Sequence, residues 1–403
     1  MQRLTRLGAL TLACACVGNM LAEAARGLRD AFNTDFLSSF YTAADMLRHG
    51  DHAIYCSACL QAAAQRLFHA GPAVFSFQYD NPPLGAWSLQ PLTYLGAQTA
   101  LAVFLFASLV ALGAAGWLLR DDIRRTPNHI LIAVVAFASF PAAMTFAYGQ
   151  WDGFLALAAT GAYVALRHDR QVLAGLLISA LMLKPQLMWL VPVVVVVAGS
   201  WRVLYGMVVG GLIWGLSSVA ILGWPDTVLW LRQISPNIVA RTGLSLPHVL
   251  VAFGATSSLV VSASVVLLVV TAVALFAARR WLRSLELERL LSLGLLFSML
   301  AAPHLLSYDL IILAPLIVIW GRSKEFHALG AALVLSAAFL VDLVLPMSWA
   351  IVEGLALLGV AFLYCHDIWS ASASDLADPR RTLGATLLRV GESTARDVGS
   401  ARP

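Results

Sequence analysis

The side chains of this sequence that can do chemistry fall at a few places. Asp35 follows Asn33-Thr34 at the start of a helical pattern, Gln150 and Asp152 flank Trp151, Lys184 precedes Pro185, and His304 follows Pro303 with Tyr308-Asp309 just beyond. A carboxylate at a helix start is kept ionised by the helix dipole and can accept a proton. An ammonium or an imidazole can steady negative charge on a departing oxygen. Together these groups suit a transfer in which a hydroxyl attacks and an anion leaves. Each also has a plain structural reading: Asp35 as a capping carboxylate, Lys184 as a snorkelling lysine, His304 as a helix cap. Lys184 is the sharper case, since the only other lysine is Lys324 and Pro185 follows it at once. Ionisable residues at membrane depth are costly and by default mark a functional site.

The elements that position these residues follow from composition. The chain has 403 residues, 60% hydrophobic and 12% charged, with a net charge of only +4. Soluble domains carry about twice that charged fraction, so a water-soluble enzyme is excluded and a polytopic all-α membrane protein is indicated. A small, dispersed positive excess excludes a nucleic-acid partner. Apolar runs bounded by polar or turn-forming residues predict twelve spans, near 7–25, 97–119, 129–147, 151–166, 171–184, 186–198, 203–222, 258–278, 290–302, 306–320, 327–345 and 347–365. Those flanking Lys184 and the one ending at Pro303 are short, as if helices stop partway beside a cavity.

Positive residues stay in the cytoplasm, and the alternate segments that hold most of the Lys and Arg put both termini there. The other face then carries Asp35, Gln150, Asp152, Lys184, His304 and Asp309, six polar groups from separate parts of the chain. Arg3, Arg6 and the apolar run ending at Ala22-Glu23-Ala24 also fit a cleavable signal, although keeping the first span balances the rest better. Residues 1–365 form the membrane domain, and 366–403, Ser/Ala/Arg-rich and aperiodic, read as a disordered cytoplasmic tail.

The first outward loop, 26–96, is far longer than an ordinary connection. Phe36, Phe40, Tyr41, Ala44 and Leu47 follow helical spacing from the Asn33-Thr34 cap to Gly50, which predicts an amphipathic helix lying on the membrane surface. A second juxtamembrane helix, 82–95, is broken at Pro91 and carries the interface aromatics Trp87 and Tyr94. Before it, Phe77-Gln78-Tyr79-Asp80-Asn81-Pro82-Pro83 reads either as a helix entry or as a cavity wall held by the prolines.

These residues carry a family resemblance. Asn33-Thr34-Asp35-Phe36, Tyr41-Thr42-Ala43-Ala44, Leu47-Arg48-His49-Gly50, Ile54-Tyr55, Tyr79-Asp80-Asn81-Pro82-Pro83-Leu84, Tyr148-Gly149-Gln150, Leu183-Lys184-Pro185-Gln186 and Pro303-His304 to Tyr308-Asp309, in that order, resemble glycosyltransferase family 87 over about residues 5–365. The resemblance implies a C-type glycosyltransferase bundle in a bacterial inner membrane, with its active site facing the periplasm. It implies transfer of a hexosyl unit, commonly mannosyl, from a polyprenyl-phosphate sugar to a hydroxyl of a lipid or glycan acceptor. Asp35 occupies the position of the general base. Two departures concern the substrates: Asp80-Asn81 is inserted between Tyr79 and the prolines, and Gln150-Trp151-Asp152 stands where relatives often carry Gln-Val-Asn.

On that reading Lys184, His304 and Gln150 hold the donor phosphate, while Tyr41, Tyr79, Asn81, Asp152, Tyr308 and Asp309 line the substrate cavity. The polyprenyl tail lies among membrane lipids. No cofactor or metal is implied, and the chain has neither an Asp-x-Asp motif nor a glycine-rich phosphate loop. A single displacement with inversion follows from one base and a phosphate leaving group. The competing reading is a multi-pass transporter or flippase of a lipid-linked or small polar substrate, which usually shows internal repeats and a midplane site; a non-catalytic scaffold would not need these groups on one side. Cys56-Ser57-Ala58-Cys59 allows a small disulfide loop on an oxidising face, and zinc would need two more ligands from His49, His52 or His69. Cys14, Cys16 and Cys365 read as packing residues, and Glu353 in the last span has no assigned role.

Overall fold

A computed structural model of the chain describes residues 2–68, 78–125, 128–237, 243–344 and 349–377. Phe77, His69, Arg241 and the tail beyond residue 377 lie outside the described residues, as does the side chain of Glu353. Two units are resolved, residues 1–358 and 359–403, and all the site residues belong to the first. Every regular element among the described residues is helical.

In chain order the helices are α1 (Gln2–Arg29), α2 (Thr42–Arg48), α3 (Ser57–Phe68), α4 (Pro83–Ser88), α5 (Ala97–Leu118), α6 (Arg120–Arg124), α7 (His129–Phe137), α8 (Phe140–Tyr148), α9 (Asp152–Arg167) and α10 (Gln171–Ser179). They continue with α11 (Val191–Ala198), α12 (Trp201–Leu222), α13 (Trp224–Asn237), α14 (Ser257–Ala277), α15 (Arg279–Leu282), α16 (Leu287–Ala301), α17 (Ala314–Gly321), α18 (Glu325–Val344) and α19 (Trp349–Ala377). Helical segments occupy all twelve stretches picked out by hydropathy. Five runs, Ala97–Leu118, Ile130–Tyr148, Trp201–Leu222, Ser257–Ala277 and Gly354–Ala371, are long and apolar enough to cross a membrane, and the chain is a membrane protein.

Several other segments are short because the sequence interrupts them. Helix α10 tightens into a 3₁₀ turn at 180–183, and Lys184 leaves the helical region (φ −133°, ψ 76°) before Pro185, where a residue preceding proline is disfavoured in that region. Helix α16 ends at Ala301 before Pro303, and a 3₁₀ stretch, Ser307–Leu313, leads into α17. These breaks expose backbone polar groups, which at membrane depth are tolerated only against protein or a cavity.

Close backbone approach holds the Lys184 corner in place. A Cβ on Gly175 of α10 would lie 2.0 Å from the Val203 carbonyl, and one on Gly206 of α12 would lie 2.1 Å from the Val172 carbonyl. Only a pair of glycines lets α10 and α12 meet this tightly, the usual device where helix association rests on van der Waals packing.

The long segment after the first helix departs from expectation. Instead of an amphipathic surface helix, residues 36–41 form a π-helical stretch that runs into α2, and Phe36, Leu37, Phe40, Tyr41, Ala44, Met46 and Leu47 are all buried. The polar side chains that were to face water, Ser38, Ser39, Thr42 and Asp45, are buried as well. Each finds a partner: Ser38 and Thr42 donate to the Thr34 and Leu37 carbonyls, Ser39 to the Gln78 carbonyl, and Asp45 accepts from Arg48. Polar groups satisfied within their own turn can enter a packed core, so the amphipathic pattern does not require a solvent face.

The helical element at 82–95 breaks where its sequence predicts. Helix α4 gives way to a 3₁₀ turn, Gln90–Tyr94, at Pro91, and Trp87 and Tyr94 are exposed. Cys56 and Cys59 form a disulfide at the start of α3. The C-terminal boundary is corrected: α19 continues to Ala377, so residues 366–377, read as disordered, are helical.

Candidate active site

Thr34 caps the start of the buried π-helical stretch, accepting from the Leu37 N–H and donating to the Ala31 carbonyl. That frees the neighbouring Asp35 from the capping role, and its side chain makes no cap bond. Its Oδ2 instead accepts a hydrogen bond from Nε2 of Gln150, more than a hundred residues away. Gly149 makes this encounter possible: it ends α8 in the left-handed conformation at φ 65°, and a Cβ there would stand 2.7 Å from that of Phe36. The backbone at Gly149 thus touches the residue next to Asp35 and delivers Gln150 to its carboxylate.

Beside this pair lies a buried ion cluster. Lys184 Nζ donates to Asp152 Oδ2 and to Asp309 Oδ1, each at 2.7 Å, and sits 4.3 Å from the centre of the Tyr308 ring. The other oxygen of Asp309 accepts the Leu306 N–H at 2.8 Å, so the 3₁₀ entry after the Pro303 corner sets its orientation. Asp152 opens α9, and its Oδ1 is buried without a partner among the described residues. Two carboxylates against one ammonium give the trio a formal charge of −1. Lys184, read from the sequence as a cation for the donor phosphate, is therefore already compensated.

Burial pushes the Asp35 carboxyl up to about 6, and the Gln150 hydrogen bond and Lys184 charge hold it from rising further while Asp309 and Asp80 add to the rise. The electrostatic neighbours of His304 are Asp309, Lys184 and His248, and burial pushes its imidazole down to about 4. It is thus neutral near pH 7, and its buried Nδ1 has no partner among the described residues. The buried Oε1 of Gln150 is likewise unmatched.

The remaining predicted residues divide by what their polar atoms already do. Tyr41 donates its hydroxyl to the Leu95 carbonyl and Tyr79 to the Pro82 carbonyl, so both are committed to holding the loop. Asn81 lends its carbonyl to the Tyr55 hydroxyl. Tyr308 packs edge-on to Tyr148 with ring centres 6.1 Å apart and supports Lys184. Asp35, Gln150, Asp152, Lys184, Tyr308 and Asp309 are brought together, with His304 an electrostatic neighbour of Asp309 and Lys184.

Two residues near the site were not singled out from the sequence. His248, fully buried and hydrogen-bonded with Ser245 at 3.0 Å, follows a segment joined to the His304 corner by the Leu244 N–H to Leu305 carbonyl bond. Trp230 reaches from α13 to the Asp80 carbonyl. Ser245-Leu246-Pro247-His248 does carry a helix-start signal, but Trp230 carries none, because its partner is a backbone oxygen. No group of three or more His, Cys, Asp or Glu side chains suited to a metal ion forms among the described residues.

No curated protein and no solved structure matches the chain. A family model does, over residues 79–303, more than half of the chain, which takes in Tyr79, Gln150, Asp152 and Lys184 and stops just short of His304. With its apolar helices and a site built where they break off, the chain belongs to glycosyltransferase family 87 and is a membrane glycosyltransferase.

Proposed function

We propose that the chain transfers a hexosyl unit, mannosyl being the first candidate, from a polyprenyl-phosphate sugar to an acceptor hydroxyl at the periplasmic face, with Asp35 as the general base. The observation that carries this reading is the state of Asp35: a carboxylate without an ion partner among the described residues, aimed by Gln150 and raised by burial to about 6. Such a group is mostly ionised near pH 7 and yet more basic than an ordinary carboxylate, which is what proton abstraction from a hydroxyl requires.

Asp35 takes the acceptor proton as the acceptor oxygen bonds to the anomeric carbon. The bond from that carbon to the phosphate oxygen breaks, and polyprenyl phosphate leaves with its charge, inverting the anomeric centre. His304, neutral and with a ring nitrogen free for a ligand, is the donor assigned to the departing phosphate, with the Lys184 cluster setting the local field. Asp152 and Asp309 keep Lys184 charged and fixed, so its part is to orient the site and shield charge. The lipid tail of the donor extends between helices into the bilayer.

The test is incubation of the purified protein with polyprenyl-phosphate mannose and a membrane lipid extract, followed by mass analysis. A product heavier by one hexose, absent with Asp35→Asn, is the expected result. Full activity of the Asp35→Asn variant excludes the assignment of the base. A substrate that crosses the bilayer without forming any glycoside supports transport instead.

A further inference from the structure

The segment Asp80-Asn81-Pro82 is gripped by its backbone. Three successive carbonyls each accept a hydrogen bond from a different aromatic side chain: Asp80 from Trp230 Nε1 at 3.2 Å, Asn81 from the Tyr55 hydroxyl at 2.7 Å, and Pro82 from the Tyr79 hydroxyl at 2.9 Å. The three rings also pack on one another, Tyr55 lying 5.7 Å from Tyr79 and 6.5 Å from Trp230. Tyr79 bonds within its own turn, whereas Tyr55 and Trp230 reach in from 26 and 150 residues away, so one short loop is fixed both locally and from a distance.

What the grip presents is the Asp80 side chain. It is exposed, and it has no hydrogen bond or ion pair among the described residues. Its charge reaches Asp35, whereas the electrostatic neighbours of His304 are Asp309, Lys184 and His248. The loop that carries Asp80 packs on the stretch that Asp35 opens, with Ser39 donating to the Gln78 carbonyl at 2.9 Å and Phe40 meeting Tyr79 edge-on at 6.4 Å, so the carboxylates of Asp35 and Asp80 serve the same side of the site. Asp35 and Gln150 each keep polar capacity unspent at the junction, since Gln150 Oε1 is buried without a partner. An aligned, unspent carboxylate accepts from hydroxyls and repels anions.

We propose that Asp80 is a specificity-determining residue for the acceptor: it accepts a hydrogen bond from a second hydroxyl of a neutral, polyhydroxylated acceptor whose first hydroxyl meets Asp35, and it turns away acceptors that carry an anionic group there. This rests on the sugar-transfer reading for the identity of the ligand as acceptor. The grip by Trp230, Tyr55 and Tyr79 makes the recognition rigid, so little side-chain freedom is lost on binding.

The test reads binding, so that it does not depend on transfer. Purified full-length protein in lipid nanodiscs is titrated with a methyl hexoside and, separately, with a hexose 6-phosphate, followed by saturation-transfer NMR. Wild type binds the neutral glycoside saturably and the phosphate ester at least about tenfold more weakly. Asp80→Asn weakens the glycoside by about tenfold, the loss typical of a hydrogen bond to a charged group, and narrows the gap between the two probes. Trp230→Phe, which keeps the ring but removes one donor of the grip, gives a smaller loss in the same direction. Unchanged affinities in Asp80→Asn, or no saturable glycoside binding by wild type, overturns the proposal. Failure of the transfer reading has a different signature, glycoside binding lost on Asp80→Asn with no product formed from a polyprenyl-phosphate sugar by wild type.

Discussion

Helix α9 ends in charge at both ends, and the two ends behave differently. At its last turn Arg167 bonds Asp122 and, at 2.9 Å, Glu288, while Arg322 closes on Asp122 at 3.2 Å. Two cations thus face two anions and tie α6, α9, α16 and the end of α17 together. At its first residue Asp152 shares Lys184 with Asp309, one cation for two anions, and Asp35 nearby has only the neutral Gln150. Polar atoms of Gln150, Asp152 and His304 are left over around it. The first cluster closes around buried Asp122 while Arg167 and Arg322 reach toward the surface, and the second is buried throughout; what separates them above all is balance. A closed charge account holds helices together, whereas an open one costs stability that only a bound substrate can offset.

The strongest way to test that contrast is Asp35→Asn. Removing a general base typically costs about 10²–10⁴-fold in rate, so kcat should fall by that range in the transfer assay. Stability should not fall with it. Because the folded carboxyl is raised above its ordinary value of about 4, the unfolded chain gives up its proton first as pH rises, and the wild type loses stability between about pH 4 and 6. The Asn variant lacks this loss, so thermal unfolding at pH 7 should show it at least as stable as wild type. A large drop in stability would make Asp35 a structural carboxylate like Asp122.

Lys184→Met comes next. Deleting the shared cation leaves Asp152 and Asp309 buried and facing each other, and removing one partner of a buried ion group costs about 3–5 kcal/mol. Denaturant or thermal unfolding should show this loss, and the double replacement with Asp152→Asn should recover part of it. At the other end of α9, Arg167→Met should cost less, about 1–2 kcal/mol, because Arg167 is partly exposed and Arg322 still reaches Asp122. It should leave the KM for donor and acceptor unchanged. An altered KM would mean that the balanced cluster also shapes the site.

How much of this was legible in the sequence varies with the physics. Helix positions were, because apolar runs and the proline and glycine punctuation at Pro91, Pro185 and Pro303 act locally. Polar residues at the breaks stand out in the sequence for the same reason, and the matched stretch of the family takes in Gln150, Asp152 and Lys184 but not Asp35, His304 or Asp309. The burial of residues 36–47 was not, since Ser38 and Thr42 look solvent-facing until their turn-internal hydrogen bonds are seen, and Ser39 until its bond to the Gln78 carbonyl is. Nor was the pairing of Lys184 with two carboxylates, whose partners lie 32 and 125 residues away, a relation without periodicity. The neutral state of His304 comes from burial, which no local pattern reports.

The finest probe of the open cluster is its pH dependence. With the Asp35 carboxyl at about 6, kcat/KM for transfer should be level above about pH 7 and fall roughly tenfold per unit well below 6, since only the ionised form takes the acceptor proton. Gln150 donates to that ionised form and so lowers the pKa. Gln150→Leu removes the donor, and the acid limb should move to higher pH, with the plateau rate reduced far less than in Asp35→Asn. The direction matters. If the limb stayed in place while the plateau fell, Gln150 would act on the substrate instead of on Asp35; if it moved to lower pH, the titrating group would be a different one. A shift upward with a preserved plateau is the outcome that ties the base to the one neutral residue that aims it.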